Sequence, residues 1–358
     1  MKKIISLFFV IFTLMPTMAQ SETEIEDWYN QGLESLAQHD FAEAIKWYKK
    51  AAEQGHVKAQ FDLGWCYENA NGVQQDYMEA IKWYKLAAEK GEPVALLNLV
   101  VCYEHCRDIL EDYTDAVQVF KQMAEQGDAK SQNNLGWCYL HGKGVQQDYS
   151  EALKFFRKAA EQEYVEAQFY LGWCYNTGKG VQQDNIEAVK WYKLAAEQGL
   201  AKAQYNLGCC FANGYGVNPD YTEAARWWEM AAERGHTDAQ YNIGLCYYQG
   251  RSVEQSYADA AKWWKKAAEQ GHADAQYNLG MCYLKSLKYK EAMIWFEKAA
   301  EQEQTLAKNF LEINKIYKPM LTISLYFIGF LIIIPIIVTL VIIYFFVIKK
   351  KRHNKIQI

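Results

Sequence analysis

The sequence predicts an all-α fold, a right-handed α-solenoid of about eight helical hairpins followed by one transmembrane helix. The first observation behind this prediction is a repeat. Seven cysteines recur every 36 residues from Cys66 to Cys282, and glycines from Gly55 to Gly271 keep the same step with one break at Glu163. Such fixed periods are typical of solenoids. The second observation is the stretch 321–348, which contains 28 residues and no charged side chain.

Each repeat is expected to form two short helices. In residues 59–91, Leu63 and Cys66 lie on one helical face, and a second apolar-periodic run follows a loop. Asp76 and Glu79 form a capping-box pattern at the start of that second run. The pattern recurs as Asp112/Asp115, Asp148/Glu151, Asp184/Glu187, Asp220/Glu223 and Ser256/Asp259. We call the first helix of each hairpin the A helix and the second the B helix.

Small and aromatic residues predict how the two helices pack. Most A helices carry a glycine at the same place, which allows a close approach; these are Gly64, Gly136, Gly172, Gly208, Gly244 and Gly280. The B helices carry aromatic doublets, namely Trp47-Tyr48, Trp83-Tyr84, Phe155-Phe156, Trp191-Tyr192, Trp227-Trp228 and Trp263-Trp264. We expect these rings to form the core between repeats, because each repeat buries its apolar face on its neighbours.

The combined pattern is A-x-x-x-L-G-x-x-Y, then G-x-G-V-x-x-D, then E-A-x-x-W-Y-x-x-A-A-E-x-G. It resembles the Sel1-like repeat, a relative of the tetratricopeptide repeat, and covers residues 24 to about 303. The third repeat departs from the pattern, with Val100 in place of the A-helix glycine and residues 104–107 where a loop glycine is expected. The resemblance implies a scaffold that binds proteins or peptides.

The two ends predict a membrane topology. Residues 1–19 read as a signal peptide cleaved after Ala19, with an uncleaved anchor as the alternative. Residues 20–23 form the mature N-terminal segment, 24–303 the repeat solenoid and 304–320 a juxtamembrane segment. Residues 321–348 are the predicted transmembrane helix, and 349–358 a basic cytoplasmic tail with five Lys and Arg side chains.

The basic tail predicts the orientation, since positive charge accumulates on the cytoplasmic side. We therefore predict a single-pass membrane protein with its repeats outside the cytoplasm, on the periplasmic side of a bacterial inner membrane, and its C-terminus in the cytoplasm. The same layout resembles the lumenal adaptor of endoplasmic-reticulum protein degradation, so a eukaryotic origin would change the compartment and keep the topology.

Charge and motifs exclude several classes of function. Without the seven basic residues of the signal peptide and tail, 31 basic side chains remain against 43 acidic ones, a net charge of −12. Nucleic acid is therefore not an expected partner, because its binding needs clustered Lys and Arg. The seven periodic cysteines are expected to be reduced, buried, small hydrophobes, since equivalent helices stand too far apart for disulfides. We expect no cofactor and no metal.

No catalytic signature is found, so the sequence does not predict an enzyme. His56, His236 and His272 each follow a glycine at a helix start, and we expect them to be solvated. The scaffold is the first hypothesis for function. The alternatives are a single-pass receptor or adaptor that relays ligand binding across the membrane and, third, a hydrolase with a site that has no recognisable motif.

A second apolar face on the A helices predicts where a partner binds. It consists of Phe61, Leu97, Asn133, Phe169, Tyr205, Tyr241 and Tyr277, beside Trp65, Val101, Trp137, Trp173, Cys209, Leu245 and Met281. We call this set the A-helix stripe. In the related tetratricopeptide repeats these positions line the concave groove that holds peptides. Polar neighbours that could satisfy a ligand backbone are Asn69, His141, Asn176 and Asn213. The alternative is that the adjacent hairpin covers these rings.

Overall fold

A computed structural model describes residues 22–315, and within this range the chain is helical with no strand. Sixteen helices pair into eight hairpins. Their bounds are α1 Glu22–Ala37, α2 Phe41–Glu53, α3 Val57–Asn69, α4 Tyr77–Glu89, α5 Pro93–His105, α6 Thr114–Glu125, α7 Ala129–His141, α8 Tyr149–Glu161, α9 Val165–Thr177, α10 Asn185–Glu197, α11 Ala201–Asn213, α12 Tyr221–Glu233, α13 Thr237–Gln249, α14 Tyr257–Glu269, α15 Ala273–Lys285 and α16 Tyr289–Glu301. A further helical segment covers residues 305–315.

The hairpins fall into two compact units that divide after Leu200. Helices α1 to α10 belong to the first unit, and α11 to α16 with residues 305–315 belong to the second. Within each unit, a helix packs on its hairpin partner and on the next hairpin along the chain. This arrangement confirms the predicted helical solenoid within the described residues, while the domain boundaries at residues 24 and 303 stay predictions.

Side-chain caps start the B helices, as the sequence predicts. The Asp76 carboxylate accepts hydrogen bonds from the amides of Met78 and Glu79, at 2.9 and 3.1 Å. Asp148, Asp184 and Asp220 cap their helices in the same way, and the Ser256 hydroxyl accepts from the single amide of Asp259. The third hairpin differs, because α6 begins at Thr114 and Tyr113 is its N-cap residue without a side-chain cap.

The A-helix glycines bring the two helices of a hairpin together. A Cβ atom at Gly136 would lie 2.8 Å from the ring of Phe156, which is shorter than side-chain carbons tolerate. The other A-helix glycines meet the second ring of their own aromatic doublet in the same way. That ring therefore packs inside its own hairpin rather than between repeats. The first ring fits the prediction better, since Trp191 and Trp263 pack on clusters that join the preceding hairpin to the A helix of their own hairpin.

The third hairpin is packed more loosely than the others. Helices α5 and α6 have the fewest contacts of any hairpin pair in the described chain. Val100 stands where the other A helices have glycine, and its side chain is buried at the crossing point. Because a valine side chain occupies the space that glycine leaves open, the two helices cannot approach as closely.

Glutamine side chains link successive hairpins in a pattern that the sequence analysis missed. The buried Gln132 on α7 donates to the carbonyl oxygen of Ala124 at the end of the preceding helix. Its own side-chain oxygen accepts from Gln162, which follows α8, at 2.8 Å. The second unit repeats both bonds at Gln240 and Gln270. This pairing joins residues 30 apart and satisfies buried polar groups between repeats.

The cysteines are free thiols in the described chain. Six of the seven periodic ones are buried, and Cys282 is half-buried. Burial raises the pKa of Cys138 and Cys174 to about 12, since a thiolate is poorly solvated there. These thiols therefore act as small core side chains, as the helix-spacing reasoning predicts.

The predicted localisation is wrong, because it requires a membrane-spanning helix that the described residues do not contain. None of the helices between residues 22 and 315 is long and apolar enough to cross a membrane. The segments that led to the prediction, 1–19 and 321–348, lie outside the described residues. A single-pass protein with outward repeats and a cytoplasmic C-terminus is therefore not supported.

Candidate functional site

In the first unit, one part of the A-helix stripe is open to solvent. Trp65 on α3 is 39% exposed, and Leu97 on α5 is 46% exposed. Leu33 on α1, which follows Gly32 as Trp65 follows Gly64, is also 39% exposed. Three successive A helices thus present large apolar side chains to solvent.

The phenylalanines of the stripe are partly covered by their own hairpins. The ring centroid of Phe61 is 5.5 Å from that of Tyr84 on α4. Phe169 lies 5.9 Å from Tyr192 in the same geometry. Trp173 is half-buried and packs against the core of the fourth and fifth hairpins. The partner helix of the same hairpin thus covers part of these phenylalanines, whereas Trp173 also packs against the preceding hairpin.

Trp137 lies in the most polar part of the stripe. Its ring centroid is 4.5 Å from that of His141, and the guanidinium carbon of Arg107 is 4.8 Å from the Trp137 ring. Asn133, the stripe residue of this repeat, is buried rather than exposed. Burial and the positive charges of Arg107 and Lys143 lower the pKa of His141. Two predicted site residues, Trp137 and His141, therefore lie close to Arg107, which was not among the predicted site residues.

The predicted asparagines bond within their own hairpins. Asn69 and Asn213 donate to the carbonyl oxygens of Trp65 and Cys209, one helical turn earlier. Asn176 donates to the side chain of Asn185 at 3.1 Å. Their donor groups are therefore engaged, and a ligand backbone would meet the amide oxygens.

In the second unit, a cavity of about 270 Å³ opens along the stripe. The stripe residues Leu245, Tyr277 and Met281 line it, together with Trp264 and Lys285. Tyr277 also packs on Phe296, with ring centroids 5.7 Å apart. This cavity is large enough for one apolar side chain of a partner and carries a single positive charge in its lining.

Comparisons with known proteins agree with this architecture. Seven stretches match the Sel1 repeat, at residues 27–56, 57–92, 129–164, 165–200, 201–236, 237–272 and 273–303. The chain belongs to the Sel1 repeat family. The gap in the match, 93–128, contains the loosely packed third hairpin of this Sel1 repeat protein.

Two solved structures are similar to this Sel1 repeat protein. A Sel1 repeat protein from Oxalobacter formigenes is 34% identical, with a TM-score of 0.66, over 80% of this chain and 86% of that one. A protective antigen of uropathogenic Escherichia coli with an SLR fold is also 34% identical, with a TM-score of 0.62 over 82% of this chain. The chain spans 65% of the length of that antigen. A comparison with curated proteins found no match.

The recurring histidines of the Sel1 repeat protein are not solvated, contrary to the prediction. Each is the N-cap residue of an A helix, where ring Nδ1 accepts a backbone amide, as His236 does from Ala239. Each ring also stacks on an aromatic ring of the preceding A helix, at a centroid distance of 4.5 Å for Tyr205 on His236 and Tyr241 on His272. Tyr205 and Tyr241, two of the predicted site residues, thus pack on histidine rings of the next hairpin.

Acidification is expected to destabilise the second unit through His236. Burial lowers its pKa from the ordinary value, with Lys202 adding to the effect and Asp238 opposing it. Because the folded state holds the neutral ring, the unfolded chain binds more protons as the pH falls through about 6.5. Stability that is present above that pH is therefore lost below it.

Thermal melts at about pH 7 and about pH 5 test this expectation. The melting temperature of the His236→Asn variant, which keeps an N-cap side chain without a titrating ring, should depend less on pH than that of the wild type. His39→Asn, at an exposed turn, removes a histidine elsewhere and should keep the wild-type dependence. Identical pH dependence in all three proteins would contradict the role given to His236.

Between residues 22 and 315, no group of three or more His, Cys, Asp or Glu side chains is placed to hold a metal ion. Helical repeat folds of this family are typically non-enzymatic scaffolds, and nothing in the geometry of the stripe adds a catalytic group to that picture.

Proposed function

We propose that this Sel1 repeat protein is an interaction scaffold that binds an extended protein segment along the A-helix stripe. The observation that carries the proposal is that Leu33, Trp65 and Leu97, on three successive A helices, are exposed. Isolated apolar side chains are common on surfaces, whereas large exposed apolar side chains that recur on successive repeats point to an interaction surface. A solenoid repeats such a set at a regular spacing, which suits an extended partner.

Two further features support this function. In the second unit, the cavity beside Tyr277 has space for an apolar side chain of a partner. The amide oxygens of Asn69 in the first unit and of Asn213 in the second make no hydrogen bond within residues 22–315, so each is available to accept from the backbone of a segment bound to its own unit. Apolar anchors surrounded by a few polar groups are typical of protein interfaces.

The experiment that tests the proposal is selection of a phage-displayed random dodecapeptide library on the full chain, followed by measurement of peptide affinity. Truncation of Trp65 to alanine is expected to weaken the selected peptides by about thirtyfold, the loss typical of a tryptophan hot spot. The melting temperature should fall less than in a variant that truncates one of the half-buried stripe tryptophans, because the Trp65 indole is 39% exposed.

Met78→Ala is the matched control for that experiment. Met78 is an exposed large apolar residue on α4, a B helix, and lies outside the stripe. Its truncation should leave peptide affinity unchanged. If no peptide is selected, or if the selected peptides bind both variants equally, the stripe is not the binding surface.

A further inference from the structure

The irregular third hairpin places an arginine against the A-helix stripe. Arg107 follows Cys106, the residue that ends α5, in the loop that departs from the repeat pattern. The hydroxyl of Tyr113 donates a hydrogen bond to the Arg107 carbonyl and holds the loop backbone. The positions equivalent to Arg107 in the other full-length repeats are Asn71, Lys143, Lys179, Tyr215 and Arg251. Lys143, Lys179 and Arg251 lie over tyrosine rings at the starts of the preceding B helices, whereas the Arg107 guanidinium lies over the stripe residue Trp137.

The guanidinium is held in place by one hydrogen bond and one stacking contact. Its Nη2 donates to the side-chain oxygen of Asn134 at 2.6 Å, and Asn134 is 1% exposed. Its carbon lies 4.8 Å from the ring of Trp137. Within residues 22–315 the remaining guanidinium N–H groups make no hydrogen bond. A planar donor group fixed in this way has little conformational entropy to lose when it binds an acceptor.

Charge around the guanidinium favours an anionic acceptor. The nearest carboxylate, Glu104, is 3.9 Å from Arg107 and forms a shorter ion pair, 3.0 Å, with Lys130. Lys143 adds to the positive side, and burial together with the charges of Arg107 and Lys143 lowers the pKa of His141, which favours the neutral form of that ring. This local excess of positive charge stands on a chain with a net charge of −5.

We infer that Arg107 and Lys143, beside Trp137, form a subsite for an Asp or Glu side chain of the bound protein segment. The inference rests on the proposed function and specifies the chemistry of its partner. The carboxylate accepts from the free edge of the guanidinium, as arginine commonly binds carboxylates, while an apolar neighbour in the segment packs on the Trp137 ring. The positive residues are too few for the phosphate backbone of a nucleic acid.

The library selection also tests this subsite, with the full chain compared with the variants Arg107→Gln and Lys143→Gln. Selection on the wild type should enrich Asp and Glu in peptides that depend on Trp65. The affinity of such a peptide should fall about tenfold in Arg107→Gln, the loss expected for one charge-assisted hydrogen bond. The affinity of the same peptide should fall by a smaller factor in Lys143→Gln. This second variant tests the subsite if Arg107→Gln does not fold.

Lys179→Gln is the matched control. Lys179 is equivalent to Lys143 in the next repeat, and its ammonium group lies over Tyr149 as that of Lys143 lies over Tyr113. Its affinity for the acidic peptide should equal that of the wild type. Peptides that depend on Trp65 but show no acidic enrichment, or that bind Arg107→Gln as tightly as the wild type, would overturn the subsite alone. If no selected peptide depends on Trp65, both the subsite and the proposed function fail.

Discussion

Replacement of Phe156 with alanine is expected to lower the free energy of unfolding by about 3–5 kcal/mol, the usual cost of emptying a buried aromatic site. The ring is 0% exposed, it stacks on Tyr170 at 4.9 Å, and it fills the space beside Gly136. The A-helix backbone at Gly136 already lies against the ring. We therefore expect the cavity left by removal of the ring to stay open rather than to be filled by movement of the neighbouring helices. Urea titration followed by circular dichroism measures the loss.

Phe155→Ala is the control for this variant. Phe155 is the other ring of the same doublet, half-buried and stacked on Tyr139 at 5.8 Å. Its removal should cost about half as much, because less apolar surface returns to water. Equal losses in the two variants would mean that the hairpin does not close on Phe156 as the structure has it.

Truncation of Trp137 and Trp173 together to alanine is expected to abolish binding of the selected peptides, with a loss of more than about thirtyfold in affinity. Sequence reasoning alone predicts an almost unchanged melting temperature for this double variant. The structure changes that expectation, since both indoles are half-buried and pack on the cores of their hairpins. We therefore expect a loss of stability as well, of about 2–4 kcal/mol in total.

Affinity and stability can be separated with a third tryptophan. Trp191 is half-buried like the other two but lies on the B helix α10. Trp191→Ala should cost stability without weakening peptide binding, when both are measured at a temperature where every variant is folded. Retained binding in the double variant would show that these two positions serve packing alone.

Much of the fold could be predicted because its determinants are local and repeated. A capping aspartate such as Asp76 and the helix it starts lie within a few residues of each other, and so the pattern is visible in one repeat. The 36-residue period then fixes which positions are equivalent. The packing of Gly136 on Phe156 follows from the same periodicity, although the sequence did not reveal that only the second ring of the doublet enters the hairpin.

Less of the candidate site could be predicted, because exposure depends on what the neighbouring hairpin places over each residue. Trp65 and Trp173 occupy equivalent positions, yet only Trp65 is exposed. The histidine caps were missed because a histidine after a glycine has no standard meaning as a helix start. Arg107 occupies a position that is also basic at Lys143, Lys179 and Arg251. Among these four, Arg107 alone lies over a stripe ring, and the sequence does not reveal that contact.

The valine at the α5–α6 crossing has a mechanical consequence. In a repeat array, each pair of packed helices contributes its own stiffness, and bending concentrates at the pair with the least contact. The third hairpin has the least contact between its two helices in the first unit. It carries Arg107 in its own loop and stands between Trp65 on the second hairpin and Trp137 on the fourth. A small rotation of α5 relative to α6 would change the distance between the apolar anchor Trp65 and the charged anchor Arg107. Bound segments whose apolar and acidic residues are spaced differently could then fit the A-helix stripe without disturbing the tighter hairpins.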